Sequence, residues 1–241
     1  VQSDKSGQGD VSQFGALATA LAATIGTGNI VGVATAITLG GPGAVFWCWL
    51  TGVLGISTKY AEGLLAVKYR IRTPQGKMLG GPMYALERGM GMKWLAVLFC
   101  IFTVCASFGI GNLVQSNAIS MLCYETYRVP QALTGTAVAV CVALVVIFGV
   151  KGIARVCSAF VPLMAALYFL GCCYILWVNG GYVWDAVKLI VESAFRPEAA
   201  GGGFVGGSVI MTARYGIARG LFSNESGMGS APIVAAAAQT R

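Results

Sequence analysis

The chain has 241 residues, 56% of them hydrophobic and only 10% charged, with a formal net charge of +7 and no histidine; its mean hydropathy is +0.74. This composition excludes an ordinary water-soluble domain and places the chain in a lipid bilayer. The missing histidine removes Ser-His-Asp and Cys-His catalysis and the usual zinc sites, and the positive excess comes without a basic face or an aromatic RNA-binding motif, so no nucleic-acid partner is expected.

The eight cysteines lie almost entirely within apolar runs and form no C-x-x-C pair, which fits buried thiols in helix packing. Residues 1–10 are mostly polar, so no cleavable signal peptide is expected within them. With no initiator Met, and with Gln239-Thr240-Arg241 following directly on an apolar run, we expect a fragment of a longer protein.

A bilayer core takes roughly 20 consecutive apolar residues of helix, and the first such run is 14–39. Its centre, Thr24-Ile25-Gly26-Thr27-Gly28-Asn29-Ile30-Val31-Gly32, places three glycines among polar side chains, so the helix is expected to break over 24–32. Irregular backbone in a membrane survives only where protein buries it or where it lines a wet cavity. A broken spanning helix is therefore a candidate binding site.

After the turn Gly40-Gly41-Pro42-Gly43, a second span is expected over 44–67, with Lys59 and Glu62 at i, i+3 near its end, placed to pair with each other or with the interface. The loop 68–93 carries six cations against the single acid Glu87, a cytoplasmic signature. Within it Met83 to Arg88 reads as a short interfacial helix. The third span, 94–121, is polar in its second half through Asn112, Gln115, Ser116 and Asn117, amides and hydroxyls that should face protein or water.

A fourth span follows over 131–150, then a basic turn at Lys151 and Arg155, and a fifth span over 156–178. Val183 to Glu192 reads as an amphipathic surface helix. The sixth apolar region, 204–238, is interrupted at 220–230. With the amino end of the first span inside, the basic loops fall on the cytoplasmic side of the plasma (inner) membrane.

Two interrupted segments separated by four continuous ones point to an inverted-repeat transporter in which the first and sixth helices open related halves. Exposed N–H groups at a half-helix start suit a carboxylate, and exposed carbonyls suit Na⁺ or an ammonium, so one unwound site can hold a zwitterionic amino acid.

Four stretches carry a resemblance. The run Thr24 to Ala36, then Gly40-Gly41-Pro42-Gly43-Ala44-Val45-Phe46-Trp47, then Lys59-Tyr60-Ala61-Glu62, and finally Gly216 to Ile233 resemble the signatures of the alanine or glycine:cation symporter family, in order and over nearly the whole chain. The resemblance implies an all-α membrane protein with a leucine-transporter-like inverted repeat. This chain would supply the first five-helix repeat and the sixth helix. It implies coupling to Na⁺, or to H⁺ in some members, with alanine or glycine as substrate and no cofactor or covalent chemistry.

By the same resemblance the substrate contacts are Thr27, Gly28 and Asn29 at the first break, Gln115 on the third helix, and Phe222 with Ser223 and Gly227 at the second break; Thr24, Gly26 and Asn224 are candidate cation ligands. One departure is Val234-Ala235, where the family pattern would put Ala-His, which removes a group suited to proton coupling.

Each residue also has a plainer reading. Gly28-x-x-x-Gly32 is a small-residue packing motif, Gln115 suits an interhelical hydrogen bond, Phe222 suits a core aromatic, and Glu225 suits an ion pair with Arg214 or Arg219. Gly26-x-Gly28 as a dinucleotide loop fails for want of a strand before it. The rival to a symporter is a channel or a helical scaffold; a channel wants a continuous polar stripe, which the fourth and fifth spans lack, and a scaffold needs no breaks.

Overall fold

The computed structural model describes residues 9–196 and 208–240, and they are mostly helical. In chain order come α1 (Gln13–Thr24), a π-helical turn (Gly28–Gly32), α2 (Val33–Gly40), α3 (Ala44–Lys68), a hairpin of β1 (Ile71–Arg72) and β2 (Met78–Leu79), and α4 (Pro82–Tyr84) running into a π turn (Ala85–Gly89). Then follow α5 (Lys93–Ser107), α6 (Leu113–Tyr127), α7 (Gln131–Val146), α8 (Gly149–Val178), α9 (Gly180–Phe195), α10 (Val209–Asn224) and α11 (Ser230–Ala236). The start of the expected sixth span, 204–207, lies outside the described residues.

One described helix, α8, is long and apolar enough to cross a membrane by itself, and the broken pair 13–24 and 28–40 makes a second when counted as one span; α5 and α7 are shorter apolar helices. The expected third span is not continuous. Turns at 108–112 divide it into α5 and α6, each of 15 residues, because Gly109 and Gly111 interrupt the helix and Asn112 restarts it. Conversely, the basic turn expected at Lys151 and Arg155 is helical. Both residues sit in the opening turns of α8, which begins at Gly149 (φ +65) and continues through Pro162.

The hairpin was not foreseen. Ile71 pairs with Leu79 and Arg72 with Met78 across a turn closed by Gly76 N donating to Thr73 O at 2.8 Å, with Gly76 at φ +80. A two-residue strand offers too little alternation to be read from sequence.

The chain forms two compact units. One draws on Val1–Ala22, Glu62–Val161 and Gly229–Arg241, the other on Ala23–Ala61 and Pro162–Met228. Each broken helix thus contributes a piece to each unit.

In the first unit, the amino-terminal segment is tied to the chain after α11. Asp10 N and Val11 N donate to Ala237 O at 2.9 and 3.1 Å, and Gln239 N donates to Val11 O at 2.9 Å. The Arg70 guanidinium caps the carbonyl end of α11, donating to Ala236 O (3.2 Å), Ala238 O (2.8 Å) and Thr240 O (3.0 Å). Met78 N donates to Asp10 Oδ2 at 2.7 Å. Val11, Ala154 and Ala237 form the small apolar core beside this knot.

In the second unit, α10 is the central element, because its small residues admit a helix on two sides. Gly28, Gly32, Ala36 and Gly40 recur every four residues, so they form one stripe on the helix that starts at the π turn. That stripe runs antiparallel to α10. A β-carbon at Gly28 would meet the Phe222 ring at 3.2 Å, one at Gly32 the Arg219 stem at 3.6 Å, and one at Gly40 the Tyr215 β-carbon at 3.0 Å. The buried Thr212 hydroxyl closes the seam by donating to Gly40 O at 2.7 Å.

On its other side α10 lies along α3. A β-carbon at Gly216 would stand 2.6 Å from that of Trp47, and one at Gly220 would stand 2.7 Å from that of Thr51, so these two positions admit no larger residue without a shift. Trp47 Nε1 donates to Ala194 O at 3.3 Å, and the rings of Phe46, Trp47 and Phe195 cluster at the end of α9.

Candidate functional site

Nine of the ten expected site residues fall in the second unit, and most of them gather where the π turn meets the end of α10. α1 stops at Thr24, 25–26 bend out of the helix, and from Thr27 (φ −58, ψ −25) the chain resumes into the π turn, whose wider hydrogen-bonding pattern follows Asn29 N donating to Gly26 O at 3.0 Å. The break is therefore shorter than the expected 24–32. π turns inside helices are rare and recur at functional sites.

Two contacts fix the junction. Gly28 lets the Phe222 ring lie directly on the backbone, and the Ser223 hydroxyl donates to Asn29 Oδ1. Thr27 Oγ1, one residue earlier, is buried with no hydrogen-bond partner among the described residues. A buried hydroxyl without a partner costs roughly 1–3 kcal/mol, so it marks a place where a polar partner belongs.

The second break is also narrower than expected. Gly220–Asn224 stay helical, and the interruption is 225–229. Packing of Gly220 on Thr51 overrides the low helix propensity of the sequence there. Glu225 (φ 49), Gly227 (φ +80) and Gly229 (φ +78) turn the chain. Gly227 and Gly26 each face open space where a β-carbon would stand. Thr24 is the last residue of α1, and Asn224, the last of α10, has its main-chain carbonyl taken by Lys59 Nζ at 3.0 Å.

Lys59 thus does not serve an ion pair on its own helix. Glu62 leaves Oε2 buried and unpartnered, at a cavity of about 330 Å³ in the first unit walled by Leu65, Tyr69, Leu86 and Met90. Lys188 and Asp185 form an ion pair at 3.9 Å on the exposed face of α9.

Gln115 belongs to the first unit. It sits in the first turns of α6, its Oε1 buried and unpartnered, in a groove of about 930 Å³ between α6 and α7 that also presents Asn112, Ser116, Asn117 and Gln131. Among the described residues, five buried side-chain polar atoms lack a partner, and two of them, Thr27 Oγ1 and Gln115 Oε1, belong to the expected substrate contacts.

Comparison with known proteins settles the family. The model of the sodium:alanine symporter family matches residues 1–241. This chain belongs to the sodium:alanine symporter family. The family is one of membrane-embedded, multi-pass transporters rather than enzymes. The chain is 57% identical over 239 residues to an uncharacterized transporter of Haemophilus influenzae, covering 99% of this chain and 52% of that protein. It is 48% identical over 241 residues to the sodium/alanine symporter AgcS of Methanococcus maripaludis, covering 98% of this chain and 52% of the relative. It is 37% identical over 231 residues to a probable sodium/glutamine symporter, GlnT, of Bacillus subtilis, covering 95% of this chain and 47% of that protein. The chain spans about half the length of these curated relatives, in keeping with a fragment.

Reading the sequence as a member of this symporter family did not mark Thr212 or Gly216 as seam residues, and it placed Lys59 with Glu62 or the interface rather than with the Asn224 carbonyl. For Gly216 a signal existed, since Gly216 and Gly220 repeat the four-residue spacing of Gly28 and Gly32. Lys59 had no such signal, because only the fold brings it to residue 224.

Proposed function

We propose that the whole protein couples Na⁺ to the movement of a small neutral amino acid, alanine or glycine, across the plasma membrane, and that this chain supplies about half of its core. The observation that carries this reading is the unpartnered hydroxyl of Thr27 beside the interrupted helix, next to a backbone loosened into a π turn and held by Ser223. A hydroxyl that donates to a carboxylate, with main-chain N–H groups at the start of the resumed helix, suits one end of a zwitterion. Gly28 lets the Phe222 ring lie on the backbone of the break, where the ring forms a wall of the substrate site. Ser223 and Gly227 complete the second break, with Thr24 and Gly26 as candidate cation ligands.

Gln115 enters the proposal on its own two grounds, the family resemblance and its unpartnered Oε1. The fold of the whole protein is a leucine-transporter-like inverted repeat, with the amino end of the first span in the cytoplasm. Transport proceeds by alternating access, in which differential affinity of outward and inward states for substrate and ion drives the cycle. Na⁺ is the coupling ion favoured here, because Val234-Ala235 lacks the histidine that would suit proton coupling.

The test is [¹⁴C]alanine uptake into proteoliposomes holding the full-length parent, with and without an inward Na⁺ gradient, beside Thr27→Val. Gradient-driven accumulation is expected, with the KM for alanine raised about tenfold by Thr27→Val, the equivalent of roughly 1.4 kcal/mol. Alanine that merely equilibrates whatever the gradient rejects coupling. No binding and no movement leaves the helical scaffold.

A further inference from the structure

α10 ends at Asn224, in the middle of the apolar region expected to form the sixth span, and the helix does not continue past its last carbonyls to supply N–H groups for them. They also carry the negative end of the helix dipole. At the end of a helix cut short within a membrane, such carbonyls need a donor or a cation. Lys59 of α3 provides both, its Nζ donating to Asn224 O at 3.0 Å from a half-buried position.

The α3 face around Lys59 is fitted to this junction. Gly52, without a β-carbon, makes room for Asn224 Nδ2, which would lie 3.4 Å from one. Gly55 does the same for Ser226, whose buried hydroxyl donates to Gly55 O at 3.3 Å. Residues 52, 55 and 59 share one helical face, so the glycines bring α3 close enough for the lysine to reach. An aliphatic side chain at 59 would serve packing equally well; a compact point charge on a four-carbon stem serves electrostatics.

Resting on the symporter reading, we infer that Lys59 is a positioning residue whose ammonium is a resident cation at the carbonyl end of α10, standing where a coupling Na⁺ would otherwise be attracted. The Asn224 carbonyl is then no Na⁺ ligand in the native protein. The break of α10 takes its positive charge from the chain, and the number of Na⁺ ions bound is held one lower than the bare carbonyl end would draw.

The experiment uses the purified full-length parent as wild type, Lys59→Met and Lys59→Arg. Thermal unfolding is followed in NaCl and in choline chloride of equal ionic strength. Lys59→Met is expected to unfold lower than wild type in choline and to recover in Na⁺, so that its Na⁺-dependent rise in Tm is at least about twice the wild-type rise. Lys59→Arg follows wild type in both salts. In proteoliposomes, alanine uptake by Lys59→Met is expected to depend more steeply on Na⁺.

A Lys59→Met protein with the wild-type Na⁺ shift overturns the inference, since a lost packing contact lowers Tm equally in both salts. If Lys59→Met yields no folded protein, Lys59→Gln, which keeps an N–H for Asn224 O without the charge, gives the same comparison. A wild type whose uptake ignores Na⁺ sinks the symporter reading instead, while the salt comparison of the variants still judges Lys59.

Discussion

Two stretches of this chain share one pattern, Gly26-Thr27-Gly28-Asn29 and Gly109-Ile110-Gly111-Asn112, and both interrupt a helix. At the first, the Phe222 ring lies on Gly28 and the Ser223 hydroxyl donates to Asn29. At the second, nothing lies within 4 Å of where a β-carbon on Gly109 or Gly111 would stand. Asn112 spends its side chain locally, Oδ1 accepting from Leu113 N at 2.8 Å and capping α6. The glycines loosen the helix in both places. What the break is used for depends on whether another helix is bonded to it.

The sharpest way to break this comparison is to add bulk at both. Gly28→Val drives a branched side chain against the Phe222 ring, an overpacking cost of about 2 kcal/mol or more, and alanine uptake by the full-length parent is expected to fall below about a tenth of wild type. Gly111→Val meets open space and should leave uptake, normalised to membrane protein, within about twofold. Equal losses from the two would mean that the tetrapeptide matters and its neighbour does not.

A smaller effect separates the two asparagines. Asn29→Ala and Ser223→Ala should each raise the KM for alanine, and the double variant should be little worse than either, with a coupling of about 1 kcal/mol. Asn112→Ala loses a helix cap worth about 1 kcal/mol, so it should lower Tm with KM unchanged. Additive KM effects of Asn29→Ala and Ser223→Ala would uncouple the first break from α10.

The smallest effect tests the seam that holds α10 against the first break. Thr212→Val keeps the shape but strips Gly40 O of its hydroxyl donor, which should cost about 1 kcal/mol and lower Tm by a few degrees in a thermal scan. A larger fall in uptake than in stability would show that the seam does more than hold the helices together.

Much of the candidate site was legible because its signals are local. Glycine-rich polar centres inside apolar runs mark interruptions whatever surrounds them, and the motifs around them carried the family. The extent of each break was less legible. Gly220–Asn224 remain helical because Thr51 and Cys48 of α3 support them, and no local propensity records that support. The turns at 108–112 went unread as an interruption because the polar residues from Asn112 onward also suit one continuous helix that faces protein or water, and hydropathy does not report helix continuity.

By itself the sequence determined that this chain is a membrane protein with interrupted helices, since composition and glycine placement act through the local cost of helix and the solvation cost of polar backbone. Only the tertiary structure decided that Asn29 meets Ser223, that Lys59 reaches Asn224 across 165 residues of chain, and that Thr27 is left without a partner. Those contacts depend on which helix faces align, and alignment is set by the close approach that Gly28, Gly32, Gly216 and Gly220 allow together.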